Sequence, residues 1–566
     1  MKAIYKLCAI ALATTALVGC DDFIDDNRYP LDQQTSNPTY WNNASNVTNQ
    51  CNTFYNQYYG YGNGASTNGW FYFKTLSDDQ AGNAFVNWAN VNVPSSSSNW
   101  SSPFTEIRRA NYIITNVANS TLSDNDKNNF MAIARLNRAW QYYQLVRMYG
   151  DVQWIETVVD PANPEETYGS RDDRDLVMDE VLEDLNFACL HLPKGTKTSW
   201  SKDMANAMKA DICLWEGTFC KYRTQAENGK APDANRAEKY LEECVTACEN
   251  VMKAGYTLSE DYQAIYNSTS LSSNPEIIFF KEYKKDLFMH SLISYNCSST
   301  QISGMTKDAF DAYLFKDGKP LALTSENKSD VGEMDADGKY YSIAKLLEVR
   351  DGRLAKTIDP YVYYEGMEWM RAGAMNMTSS TGYGVCKYDN LKMETNYRTS
   401  NNKNYTCAPL FWLSVIYCNY AEAKAELGTI TNDDLDNTIN KLYARAGLPA
   451  LTKEVGFSDP ANNWGVSDLI WEIRRCRRCE LMFDNWYRYW DLVRWHKLDK
   501  LDSQKNPNIL LGANITASPK EIANVDGYID ATKGKVRVFE SRQYLYPIPS
   551  AQLTLNENLE QNPGWK

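Results

Sequence analysis

Three successive stretches repeat apolar residues at helical spacing, and this repetition constrains the fold more than any other feature. In "SKDMANAMKADICLWEGTFCKYR" at 201–223, Ala205, Met208, Ile212, Trp215 and Phe219 fall on one face. In "RDLVMDEVLEDLNFACLHLP" at 174–193 the face is Val177, Val181, Leu185, Ala188 and Leu192, and Pro193 ends it. "ANRAEKYLEECVTACENVMKAG" at 234–255 aligns Ala237, Leu241, Cys244, Cys248 and Val251, then stops at Gly255. A helix with one apolar stripe must bury it against a neighbour, so consecutive stripes imply stacked helices.

Helical segments at 104–118, 127–149, 410–427, 433–446 and 467–482 complete the pattern. The expected fold is mainly α. It is a tetratricopeptide-like helical array of about four helix pairs, with long loop-rich insertions carrying short strands. The body spans 40–566, with the scaffold at 104–255 and 410–500 and a C-terminal tail at 540–566. Two excursions leave the array. Residues 40–103 are rich in Asn, Ser, Gly and aromatics, including "PSSSSNWSSP" at 94–103; residues 256–408 are loop-like, with a strand candidate in "EIIFFKEY" at 276–283. Long excursions from a rigid scaffold are where binding surfaces usually lie.

The N-terminus reads as a secretory leader over 1–19, with Lys2 and Lys6 ahead of the apolar run Leu7–Val18. Leu17-Val18-Gly19-Cys20 resembles a bacterial lipobox, which makes Cys20 the lipidated first residue of a tether over 20–39. No later stretch approaches the roughly 20 apolar residues that span a bilayer. A net charge of −13 argues against nucleic acid and against a basic membrane-binding face. Cys476-x-x-Cys479 lacks a second ligand pair and the chain has 3 His, so structural thiols are expected and no metal site.

Three stretches carry a family resemblance. "ARLNRAWQYYQLVRMYGDV" at 134–152 resembles the N-terminal helix signature of SusD/RagB proteins, with Gln153 in place of the usual proline. "RRCELMFDNWYRYWDLVRW" at 477–495 is similar to their Arg-Arg-x-Glu-Leu signature, with "DNWY" lengthening its central turn. "YLYPIPSAQLTLNENLEQNPGW" at 544–565 matches their C-terminus most closely. Arg477, Arg478, Glu480 and Asp491 are expected to pair inside the scaffold rather than to bind ligand.

The resemblance implies a surface lipoprotein of Bacteroidota that closes over a SusC-like TonB-dependent transporter. It would hold an extracellular glycan, or peptides in RagB-like members, and perform no chemistry. The acidic "DDFIDD" at 21–26 resembles the surface-export signal of such lipoproteins. These proteins sometimes hold a structural calcium, but "SDNDKNN" at 123–129 lacks the Gly and terminal Glu of a calcium loop and reads as a polar helix connection. No other cofactor is expected.

A sugar presents apolar C–H faces and a hydroxyl rim, so its site needs aromatic platforms beside amides, carboxylates or guanidinium groups. The first excursion offers Trp70, Tyr72, Trp88 and Trp100, with Asp78, Asp79, Asn83 and Asn87 nearby; the second offers Tyr295, Asn296, Trp369 and Arg371. A glycosidase would need two carboxylates at a set separation. With 71 acidic residues, finding such a pair in sequence carries no information.

Overall fold

The computed structural model describes residues 37–160, 162–297, 303–371 and 376–566. The leader, Cys20 and most of the tether lie outside them. The array opens with α1 (Ala44–Asn52), α2 (Ser98–Ala118), α3 (Asp124–Tyr149) and α4 (Arg174–His191). It continues through α5 (Lys202–Tyr222), α6 (Ala234–Met252), α7 (Leu413–Glu426), α8 (Ile439–Ala446), α9 (Asp468–Glu480) and α10 (Tyr487–Arg494). From α2 to α7 each helix packs on the next, and α7 packs on α9. The three predicted stripes are buried as expected. Each buried Leu, Val, Ile or Phe side chain contributes about 1.5–3 kcal/mol relative to exposure.

Local signals set the ends. Ser123, Asp173, Ser201, Asp233 and Ser467 accept N-cap hydrogen bonds at the starts of α3, α4, α5, α6 and α9; each such cap contributes about 1 kcal/mol. The "SDNDKNN" stretch is therefore a helix start, with Asp126 hydrogen-bonded to the Ser123 hydroxyl at 2.7 Å. The second helix begins at Ser98 rather than 104 and carries Pro103 within it. The Ser-rich stretch expected to be loop thus belongs partly to the scaffold.

The second excursion is an insertion between the packed neighbours α6 and α7. Its entry and exit strands, β2 (Ile277–Lys281) and β10 (Ala408–Trp412), pair antiparallel and close it off. Between them lies a four-stranded sheet in the order β4 (Glu333–Met334), β5 (Tyr341–Ser342), β6 (Ile358–Val362), β9 (Tyr383–Val385). The first excursion docks onto it: β1 (Gln80–Ala81) pairs with β3 (Gly304–Met305).

The charged signature at 477–495 is buried and paired within the body. Arg477 Nε reaches Asp491 at 2.8 Å, and Arg494 bridges Asp491 and Glu422 at 2.8 and 2.6 Å. Arg478 holds Asp79 at 2.8 Å and Asp308 at 2.9 Å, while Arg488 takes Asp78 through two 2.8 Å hydrogen bonds. Asp78 and Asp79 are therefore staples fixing the first excursion to the scaffold, not groups for a ligand. The lengthened turn between α9 and α10 places Phe483, Asn485 and Trp486 at positive φ, and buried Asp484 is held there by Lys387 Nζ at 2.8 Å. Cys476 and Cys479 are buried free thiols. At the C-terminus, Asn562 Nδ2 donates to Tyr149 O and Tyr546 O at 2.9 and 2.7 Å, fastening the tail to the end of α3.

Two groups give the fold an acid limb. His290 is buried and neutral: its Nδ1 accepts from Leu292 N at 3.1 Å, so Nε2 carries the proton facing Thr406 O at 3.0 Å. Burial lowers its pKa to about 3. For Glu422, burial acts upward, but Arg494, Arg474 and Arg477 outweigh it and hold the carboxyl at about 2. Both folded values lie below the unfolded ones, so both contributions are present at neutral pH and vanish as pH falls. The contribution of His290 is expected to decrease from about pH 6.5 toward 3, and that of Glu422 from about 4.5 toward 2. In urea unfolding Glu422→Gln should be less stable than wild type at pH 7, with the difference shrinking from about pH 4.5 toward 2; a difference that stays constant over that range would contradict this.

Candidate functional site

Where the two excursions meet, several aromatic rings stand half-buried at the surface. Tyr361 on β6, Tyr340 just before β5 and Trp369 on the following hairpin form a track. Tyr340 and Tyr361 have ring centroids 5.5 Å apart, and Tyr361 and Trp369 5.1 Å. β5 and β6 pair with Ser342 opposite Tyr361 and Tyr341 opposite Val362; Tyr341 and Val362 turn into the core while Tyr361 stays half-exposed. Trp369 sits on β7 (Trp369–Met370), which pairs with β8 (Asn376–Met377).

Arg371 pins this hairpin from beneath. It is 3 % exposed and its guanidinium grips Asp359 on β6, with Nε at 3.1 Å and Nη2 on the other carboxylate oxygen. Nη2 also donates to Tyr363 OH at 3.0 Å and Val385 O at 3.2 Å. Asp389, which Arg398 holds at 2.7 Å, lies 3.6 Å from the same guanidinium. Burial raises the Asp359 pKa and Arg371 pulls against it, so this carboxylate depends on its partner to stay charged. Arg371 was expected to touch ligand; its burial makes it a positioning residue for Trp369 instead.

A second ring pair flanks the same region. Phe73 meets Tyr295 edge to face with centroids 5.3 Å apart. Tyr72 adopts φ 54, a left-handed conformation unusual for a bulky residue, and its buried hydroxyl donates to Ser303 O at 3.0 Å. That bend lets the next residue, Phe73, come to the surface while Tyr72 stays below. Tyr295 lies on the short helix Leu292–Asn296 together with Ile293. Ile293, Cys297, Tyr363, Met377 and Met393 form the apolar cluster on which Trp369 rests, whereas Phe73 and Tyr295 pack against the neighbouring larger core. Asn83 is exposed and reaches the foot of the hairpin, its backbone N–H donating to Ser380 Oγ at 3.3 Å.

The sequence candidates therefore divide. Tyr72, Asn83, Tyr295, Asn296, Trp369 and Arg371 converge, but Tyr72, Asn296 and Arg371 are buried and support the surface from below. Trp70 is half-buried elsewhere, among Tyr58, Tyr59 and Trp140. Trp88 is 6 % exposed, with Nε1 donating to Val538 O at 2.8 Å, and Asn87 O accepts from Arg537 Nε at 2.8 Å on the same side. Trp100 is buried in α2 against Phe104 and Tyr149. Burial removes Tyr72, Trp88 and Trp100 as platforms. Sequence reasoning missed Phe73, Tyr340 and Tyr361. The signal available for Tyr361 was "YVYY" at 361–364, directly ahead of Trp369.

Comparison with known proteins follows the same lines. The profile described as the SusD family matches residues 275–565, and one described as starch-binding associating with outer membrane matches 24–214. The chain is 23% identical over 478 residues to SusD-like protein P2 of Formosa agariphila, covering 82% of this chain and 80% of that one. Among solved structures, a SusD-like carbohydrate binding protein from Bacteroides fragilis is similar with a TM-score of 0.69 at 20% identity, over 92% of this chain and 100% of that one. A laminarin binding SusD-like protein is similar at 0.55 and 18% identity, over 92% and 99% of the two chains. The structural likenesses establish the fold, which is the mainly helical one the sequence implies.

Proposed function

The chain belongs to the SusD family, and on that premise we propose that it is a cell-surface lipoprotein that captures glycans and delivers them, as a lid, to a SusC-like TonB-dependent transporter. The observation that carries this reading is the track of Tyr340, Tyr361 and Trp369, with rings 5.5 and 5.1 Å apart. The half-exposed rings are tilted 55° and 44° to one another and form one curved apolar surface, which suits the apolar sides of sugar units, while the phenol hydroxyls can bond to the sugar rim. The carbohydrate-binding and laminarin-binding descriptions of two similar structures support the ligand class. Acylated Cys20 anchors the body in the outer membrane, the acidic tether directs it outward, and the helical array meets the transporter.

The body acts without chemistry of its own. A glycosidase needs a pair of carboxylates across the bond, and the buried carboxylate beneath the track, Asp359, is clamped by Arg371 and is not one of them. Peptide capture is the competing reading within the same family. Calorimetric titration of residues 21–566 against plant, fungal and bacterial glycans and a mixed peptide pool separates the two. Saturable binding to one glycan class is expected, and binding to peptides alone would move the protein to the RagB-like branch. Cys20→Ala should release soluble protein that binds the same glycan with unchanged affinity; loss of binding by this folded variant would contradict the separation of anchor and site.

A further inference from the structure

Away from the ring track, a cleft of about 610 Å³ opens where the loop Pro320–Ala322 faces residues 459–471. Its volume lies within the roughly 300–1,000 Å³ of small-molecule sites. Trp464 and Trp471, both half-buried, line it edge to face, with centroids 5.1 Å apart and planes at 90°. Trp471 Nε1 donates to Asp459 Oδ2 at 3.2 Å, which satisfies its polar edge inside the protein, and the Arg475 guanidinium stands over the ring, 5.7 Å from its centroid.

The charges around these rings decide the ligand class. Arg478 and Arg488 are consumed by Asp78, Asp79 and Asp308, Lys500 by Asp308 at 2.7 Å, and Arg475 by Asp459 and Glu472. Among the described residues, only Lys497 and Asp499 of the lining charges form no ion pair, one of each sign. The amides of Asn463 and Asn506 stand beside them. This wall offers two indole rings with donors and acceptors and nearly balanced charge, four acids against five bases, most of them paired. It matches a neutral, hydroxyl-rich ring rather than a phosphate or an acidic sugar.

We propose that the Trp464–Trp471 cleft is a second saccharide site, holding an end of a neutral glycan independently of the excursion track. The choice of ligand class rests on the glycan reading above; the site itself shares no residue with the track. The test uses the intact body labelled with 5-fluorotryptophan, with Trp471→Phe and Trp369→Phe assigning two fluorine resonances. The probes are neutral α- and β-linked gluco-, manno- and xylo-oligosaccharides. The expected result is a saturable shift of the Trp471 resonance, lost at least tenfold in affinity in Ala322→Arg, an exposed position on the cleft wall, while the Trp369 shift persists. A moving Trp369 resonance with a still Trp471 overturns the cleft and leaves the glycan reading standing. A moving Trp471 with a still Trp369 sustains the cleft and overturns the track. If no oligosaccharide moves either resonance, both fall.

Discussion

Arg371→Ala is expected to lower the unfolding free energy of the body by about 3–5 kcal/mol, the cost of leaving a buried charge without its partner. The guanidinium satisfies Asp359, Tyr363 OH and Val385 O, and lies within 4 Å of Asp389. Its removal strands Asp359, whose carboxyl burial already pushes toward protonation. Lysine cannot replace it, since one ammonium cannot reproduce the fork that spans these acceptors. Arg371→Lys should therefore recover less than half of the loss. Urea unfolding measures both, and a change below about 1 kcal/mol for Arg371→Ala would show that the cluster does not hold the hairpin.

The second large effect concerns binding. Trp369→Ala should weaken glycan affinity by about 2 kcal/mol, roughly 30-fold, because a truncated aromatic anchor loses its contact area and admits water. Tyr361→Ala should cost nearly as much, and Tyr361→Phe far less, if the ring face does most of the holding. Both rings are half-buried, so truncation should cost less folding stability than Arg371→Ala does. Titration calorimetry and urea unfolding on the same variants separate the two roles. Equal affinity in wild type and Trp369→Ala would remove the track from the site.

The scaffold could be read from sequence because helix burial is periodic: Ala205, Met208, Ile212, Trp215 and Phe219 had only one face to share. The family signatures were equally readable, and so was their structural use, although not its depth. Charge alone does not disclose that Arg478 and Arg488 would reach back some four hundred residues along the chain to Asp79 and Asp78. The site was harder. Trp88 and Trp369 look alike in sequence. One is covered by the C-terminal segment at Val538 and Phe539; the other is propped open by an arginine two residues away. Only tertiary pairing distinguishes them. Phe73 was invisible for a related reason, because its exposure depends on the left-handed turn at Tyr72, a residue whose type disfavours that conformation.

On this reading the body holds sugar rings on the track formed by Tyr340, Tyr361 and Trp369. A crystal structure of residues 21–566 with the tightest-binding oligosaccharide tests it most directly. An intact oligosaccharide is expected, with its ring faces against Tyr361 and Trp369. An ordered ligand bound only away from these rings, or one found cleaved, would contradict it.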